Sequence, residues 1–331
     1  MLRSETAASP DRMAAALAGL KAYQEAERPS PPPAVPVATR VGRAKLLDYD
    51  GEGPAAIFVP SLINPPTILD LAEDNSLLRW FAENGVHPFL VDWGAPDPDE
   101  ADLTVAGHVE KLLLPLIDAL DQPAHLIGYC LGGTMAIAAA ALRPPVSLVT
   151  MAAPWRFEGF PDEAREGLQS LWHNAEPTAR EIGALPMEVL QTGFWRLDPA
   201  RTVSKFEMFG QLDPDSAKAR AFIALEDWAN DGPPLTYGAG RELVEDLFCG
   251  NAPGEGRWTV GGETVDPAAL SCPTLDIVST SDRIVPEATA ARTGEVLTLA
   301  QGHVGMVVGG RGRTALWEPL ANWLSRVQHK S

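Results

Sequence analysis

A chain of 331 residues, 45% hydrophobic and 21% charged, has room for one large domain with an insertion or two modest ones, and its core needs no disulfide staples. Its formal net charge of −18 excludes nucleic acid and anionic membrane as main partners, and obliges any anionic ligand to find local cations. Three scattered cysteines, Cys130, Cys249 and Cys272, match no metal spacing and suit a reducing compartment. With no apolar run near about 18 residues and no apolar signal core behind Met1, the chain reads as cytoplasmic.

In chain order, Met13, Leu17, Leu20 and Tyr23 recur at helical spacing and predict a helix over 11–27, a docking arm packed on the core. Pro29, Pro31, Pro32, Pro33 and Pro36 then make a stiff linker, so 1–40 stands apart from the remainder of the chain. From residue 43 short apolar runs alternate with helical stretches. Strands are predicted at 55–59, 87–91, 124–127 and 147–151, with helices around 67–83, 105–120 and 133–142. That rhythm means crossover units, hence a mostly parallel sheet flanked by helices. It stops from 155 to 268, a Trp- and Pro-rich stretch that reads as a mainly helical cap inserted before the last strands. It resumes with strands at 274–278 and 295–299 and a final helix over 313–327, so the sheet domain comprises 41–154 and 269–331.

Between the 124–127 strand and the small-residue helix lies Gly128-Tyr129-Cys130-Leu131-Gly132, a Gly-x-nucleophile-x-Gly turn with Cys in place of Ser. Such a turn is too tight for side chains near the nucleophile, and Gly128 and Gly132 relieve it. The helix starting at Leu131 aims its positive end at the sulfur, and the Leu131 N–H can donate to an oxyanion. This context predicts an α/β-hydrolase fold, whose triad runs nucleophile, acid, histidine along the chain. Asp282 follows the 274–278 strand and His303 follows the 295–299 strand, where an orienting acid and a base are needed. The loop Pro60 to Pro65 should supply the second oxyanion N–H, from Leu62 or Ile63.

Other histidines and acids compete for these roles. His125 sits inside a strand, His87 and His108 precede the nucleophile, His173 is in the insertion and His329 in the tail. Asp266 lies at the cap margin, Asp276 in a strand interior and Asp92 at a strand end. Arg311 and Arg313, just past His303, are candidate cations for an anionic substrate, with solvated arginines as the alternative. Trp155, Trp172, Trp195, Trp228 and Phe194 would either wall a water-poor channel or form ordinary cap core.

Several strings together resemble the polyhydroxyalkanoate synthases, nearest to their short two-component catalytic subunits. They are Pro60 to Leu71, which includes Asn64; Val91 to Pro96; Gly128 to Gly133; Asp227 to Pro233; Ser281 to Pro286; and Gly302 to Gly305. The resemblance runs from about 43 to 327, but the first 40 residues do not match the larger domain of one-component synthases, and Leu131 stands where a polar residue is usual. It implies an acyltransferase that takes 3-hydroxyacyl-CoA as substrate, with no cofactor or metal, and extends a polyester on Cys130. His303 would be the base and Asp282 an orienter, an activator of the substrate hydroxyl, or both. Asn64 joins Arg311 and Arg313 as a substrate-binding candidate. The resemblance also implies a second synthase subunit, a homodimer through the cap and residence at the polyester granule surface.

Cysteine suits this chemistry, because thiolate attack on a CoA thioester keeps the acyl group activated until an oxygen nucleophile takes it. A Cys-dependent hydrolase (esterase, thioesterase or polyester depolymerase) and a non-catalytic granule scaffold remain the competing readings.

Overall fold

Successive residues of the central strands enter opposite cores, and that alternation organises the molecule. The computed structural model describes residues 2–328, so His329 lies outside the described residues. The main sheet has eight strands: β1 Val37–Val41, β2 Ala44–Asp48, β3 Ala55–Val59, β4 His87–Asp92, β5 Ala124–Tyr129, β6 Ser147–Met151, β7 Thr274–Ser279 and β8 Glu295–Leu299. Their order across the sheet is β1-β2-β4-β3-β5-β6-β7-β8. All neighbours from β4 to β8 are parallel, while β2 runs antiparallel to β1 and β4. Ile57, Val59, Phe89 and Leu126 enter one apolar cluster, and Ala56, Phe58, Leu90 and Ile127 the other. Burial on both faces explains why these strands read as unbroken apolar runs and why helices must cover each side. The expected mostly parallel sheet flanked by helices is what forms.

Two local readings differ. Strand β1 begins at Val37, inside the stretch assigned to the linker, and pairs with β2 across a two-residue turn where Gly42 has φ 56°. Strand β1 is the edge of the sheet and β2 lies next to it, both with mixed exposure, so they lack the apolar signature of β3 or β5. The helix expected over 67–83 is instead a single turn at Pro66–Leu69, a short ribbon joining Asp70–Ala72 to Asn75–Ser76, and a helix at Leu77–Glu83. Asp70 accepts two hydrogen bonds from Arg79, at 2.8 and 2.9 Å, and one from Tyr49. The Ser76 hydroxyl, accepting from Arg79 N–H at 3.0 Å, starts the helix there.

Between β6 and β7 the chain is mainly helical, with helices at Asp162–Ile182, Met187–Leu197, Pro199–Phe209 and Ala217–Ala229 and two further helical turns within 237–249. The N-terminal arm forms the helix Pro10–Glu25, N-capped by Ser9. It docks on the helix Pro199–Phe209 of this segment, not on the sheet core. Among the described residues no helix is long and apolar enough to cross a membrane.

Candidate active site

Strand β5 ends at Tyr129 and the helix Leu131–Leu142 starts two residues later, leaving Cys130 alone at the corner. Its backbone sits at φ 57°, ψ −131°, a conformation that costs a non-glycine residue about 1–3 kcal/mol and persists only where neighbours impose it. Here they do. The Cys130 N–H donates to the Met151 carbonyl at 2.9 Å, and Gly133 N–H donates to the Cys130 carbonyl at 2.8 Å. A Cβ on Gly132 would lie 2.1 Å from the Val59 carbonyl oxygen, and one on Gly128 would lie 2.4 Å from Gly133 Cα. The half-buried Cys130 packs against the apolar cluster on one face of the sheet.

The parallel register of β7 and β8, with Ser279 opposite Leu299, brings the loops after them side by side. Asp282 and His303 are both buried, and His303 Nδ1 lies 2.7 Å from Asp282 Oδ2. Asp282 Oδ1 accepts from the N–H groups of Ile284 and Val285 at 2.8 and 2.9 Å, so the carboxylate cannot swing away. Ser279 Oγ donates to the Gln301 carbonyl at 2.5 Å and Ser281 Oγ to the Ala300 carbonyl at 2.8 Å, binding the two loops to each other.

The imidazole of His303 also lies near enough to Cys130 to feel the charge of its sulfur. Burial alone would push this ring down. Negative charge at Cys130 and the hydrogen bond to Asp282 outweigh burial and raise it to about 10. The structure therefore brings Cys130, His303 and Asp282 together as a relay: sulfur, imidazole, carboxylate.

The oxyanion candidates separate. Leu131 is the first residue of its helix, so its N–H has no carbonyl one turn back within that helix. In the loop after β3, Ile63 N–H donates to Ser61 Oγ at 3.0 Å, which removes Ile63 as a free donor and leaves Leu62. Asn64 is also corrected. Its Nδ2 donates to the carbonyls of Trp228, Ala229 and Asp231 at 3.5, 3.4 and 3.2 Å. That amide nitrogen is spent on joining the loop to the inserted segment and is not available to a substrate. Arg313 is mostly exposed, 3.5 Å from Glu318 and 5.6 Å over the Trp80 ring, and Arg311 is exposed. Among the described residues no group of three His, Cys, Asp or Glu side chains is placed to hold a metal ion.

The competing histidines have other partners. His87 Nε2 meets Asp48 at 2.6 Å, and His125 Nδ1 meets Ser147 Oγ at 2.7 Å. His108 lies between Arg43, at 2.6 Å, and the Thr104 carbonyl, at 2.7 Å; His173 is exposed on the inserted helices. Asp92 pairs with Lys45 at 3.1 Å, Asp266 caps Ala268 N–H at 2.9 Å, and Asp276 accepts from Thr150 Oγ1 and from Thr293 N–H. Trp155 and Trp172 are buried in the apolar core, Phe194 packs against its edge, and Trp195 is exposed. Trp228 packs against the same cluster as Cys130.

Tyr129 is a site residue that motif reasoning passed over. Fully buried, its ring stacks on His303 with centroids 5.0 Å apart, and its hydroxyl donates to the His303 carbonyl at 3.1 Å. Burial, then the charges of Cys130 and Asp282, push its phenol well up, so it stays a donor. The available signal was a tyrosine at a position with no route to solvent, which must find a partner inside.

Residues 56–310 match the model of the alpha/beta hydrolase family, and the chain belongs to that family. Within it, the relatives by sequence are poly(3-hydroxyalkanoate) polymerase subunits PhaC, which bears out the resemblance drawn from the six strings. The subunit of Allochromatium vinosum is 28% identical over 81% of this chain and 80% of its own length. That of Haloferax mediterranei is 27% identical over 87% of this chain, which spans only 63% of the haloarchaeal protein. Among solved structures, a thermophilic esterase from Thermogutta terrifontis superimposes with a TM-score of 0.56 at 18% identity, covering 88% of this chain and 97% of the esterase. The haloalkane dehalogenase DbeA from Bradyrhizobium elkani gives 0.54 at 20% identity, covering 90% of this chain and 99% of the dehalogenase. At these identities the structures define the fold alone.

Proposed function

We propose that this protein is an acyltransferase that polymerises 3-hydroxyacyl groups from CoA thioesters into polyhydroxyalkanoate through a thioester on Cys130. The observation that carries this reading is the buried Asp282–His303 pair presented to a cysteine at a strained strand-to-helix corner. The sulfur attacks the thioester carbonyl, the oxyanion lies between the N–H groups of Leu131 and Leu62, and CoA leaves with a proton from His303. Acylation removes the negative charge at Cys130, one of the causes that hold the imidazole proton so firmly. The ring, having given its proton to CoA, then stays neutral and is free to accept one from the hydroxyl of the next monomer. That hydroxyl gives its proton to His303, its oxygen attacks the acyl carbon, the C–S bond breaks and an oxygen ester forms. Asp282 holds the Nδ1 tautomer throughout.

The mainly helical segment 155–268 is the cap over this site and the candidate surface for a second copy. Arg311 is the candidate cation for the CoA phosphates. A second synthase subunit is a partner carried over from the PhaC relatives, whose names call them subunits, and the polyester granule surface is proposed with it as the product's own surface. Incubation with 3-hydroxybutyryl-CoA tests the whole reading. CoA release with insoluble polymer and acyl mass on the Cys130 peptide supports it. Release with free acid alone makes the protein a hydrolase, and no release, with or without a synthase partner, sinks the enzymatic account.

A further inference from the structure

The helix Pro10–Glu25 lies so close to Pro199–Phe209 that a Cβ on Gly19 would sit 1.8 Å from the Phe206 carbonyl oxygen. One turn on, Tyr23 enters an aromatic cluster with Phe206, Phe209 and Phe222, at centroid distances of 5.8, 6.3 and 6.2 Å. Its hydroxyl donates to Asp227 Oδ1 at 2.5 Å, and Arg28 reaches Asp227 Oδ2 at 3.0 Å while lying 4.8 Å over the Tyr23 ring. Burial and the adjacent carboxylate push the phenol well up, so it remains a donor. In an acidic chain, Arg12 and Arg28 of the arm both face carboxylates of the inserted helices, Glu207 and Asp227.

Asp227 is followed by Trp228, whose Nε1–H donates to the Pro65 carbonyl at 2.8 Å. Asn64 bonds back to the carbonyls of 228, 229 and 231. Residues 227–231 and the loop 60–66 are therefore one mechanical unit, and that loop carries the Leu62 N–H. Beyond the arm, the proline linker is held where Arg79 donates to the Pro33 carbonyl at 2.8 Å, just before β1. One end of the N-terminal segment is thus tied to the sheet domain and the other to the helix Ala217–Ala229.

We propose that the N-terminal arm is a clasp and Tyr23 its positioning residue, holding Asp227, Trp228 and the 60–66 loop against the Cys130 site so that water is kept from the acyl-enzyme. The proposal rests on the acyl-transfer reading of that site. Attack by a hydroxyl breaks the C–S bond and gives an ester; attack by water breaks the same bond, forms a C–O bond to water oxygen and gives a free acid, the thiol regaining a proton in each case. The clasp favours the first outcome by keeping the 60–66 loop and Trp228 packed beside the site.

Full-length Tyr23→Phe loses only the hydroxyl, and Gly19→Ala wedges the arm from Phe206 without touching Asp227. Leu17→Ala, on the exposed face of the same helix, is the control. Two measurements apply: the rate of Cys130 alkylation by iodoacetamide, read by peptide mass, and the ratio of free 3-hydroxybutyrate to ester-linked product from 3-hydroxybutyryl-CoA. Tyr23→Phe should raise both quantities about tenfold, the factor set by losing one hydrogen bond to a charged group, Gly19→Ala should raise both as well by displacing the arm, and the control neither. Unchanged alkylation beside normal CoA release overturns the clasp and leaves the acyl-transfer reading standing. Faster alkylation in variants of an enzyme that releases no CoA upholds the clasp and removes that reading. A product ratio that stays fixed during turnover overturns the water-excluding role.

Discussion

The ring of Tyr129 lies stacked beneath the ring of His303, and its hydroxyl holds the carbonyl of the same residue. The residue next to the nucleophile thus fixes the base, although 174 positions separate them in the chain. With Asp282 gripping Nδ1, the imidazole is held at its backbone, its face and one nitrogen, leaving the other nitrogen for the sulfur.

Tyr129→Phe should keep the stack and lose the hydrogen bond, leaving a buried carbonyl unpaired at a cost of about 1–2 kcal/mol. CoA release should fall about tenfold with little change in KM, because the ring is mispositioned while substrate contacts persist. Stopped-flow measurement of CoA release checks this, and a variant as fast as wild type would remove Tyr129 from the site.

Asp282→Asn tests the orienting role. The amide can still accept from Ile284 and Val285, so the fold should survive, but its NH2 opposes the Nδ1–H tautomer. Acylation of Cys130 should slow by about 10³–10⁴-fold. A loss under tenfold would mean that the carboxylate does not orient the base.

Charge at Cys130 helps lift His303 to about 10, so removing the sulfur should lower it. In Cys130→Ala, burial is then opposed by Asp282 alone. NMR titration of the His303 ring should give a lower value in this variant than in wild type. A titration that does not move would contradict the coupling, and with it the idea that acylation converts His303 into a base.

The chemistry of this site was legible because it depends on local order: a glycine-bounded cysteine between strand and helix, then an acid and a histidine after successive strands. What sequence could not supply was tertiary. Asn64 sits in the left-handed region at φ 65°, which suits Asn, and only the fold reveals that its amide is used on three carbonyls of the inserted helices. Ile63 and Leu62 are equivalent as letters, and a hydroxyl from Ser61 decides between them. Strand β1 was hidden because its partner covers only one edge, and the arm's seat was hidden because Gly19 reads as a weak helix residue until Phe206 is placed against it.

Two buried histidines set the response to acid. His108 and His125 are both pushed down to about 4, in each case chiefly by burial. His108 meets Arg43 with Nε2 as acceptor, and His125 Nε2 has no partner. In the unfolded chain each takes its proton near pH 6.5, whereas the folded form resists until about 4. The unfolded state therefore binds more protons across that window, and stability falls as pH drops through it, each histidine contributing on the order of 3 kcal/mol at the acid end. Urea unfolding at several pH values should show this slope, and His125→Phe should reduce it; an unchanged slope would assign the acid sensitivity elsewhere.

Glycine substitutions separate the nucleophile corner from the rest of the fold. In Gly132→Ala the added methyl would meet the carbonyl oxygens of Val59 and Pro60 at 2.1 and 2.4 Å. Neither is a flexible side-chain end: they belong to β3 and the start of the loop that carries Leu62, so loop and helix must separate. That moves Leu62 N–H away from Leu131 N–H, and loss of one oxyanion donor costs about 10²–10³-fold in rate. Gly167→Ala, in the exposed helix Asp162–Ile182, meets nothing within 4 Å and should stabilise by about 0.5–1 kcal/mol through helix propensity. Thermal unfolding and CoA release on the two variants together make the comparison. Gly132→Ala should lower both, Gly167→Ala should raise the first and leave the second alone. Normal turnover by Gly132→Ala would show that the two backbone donors do not act on a common oxyanion.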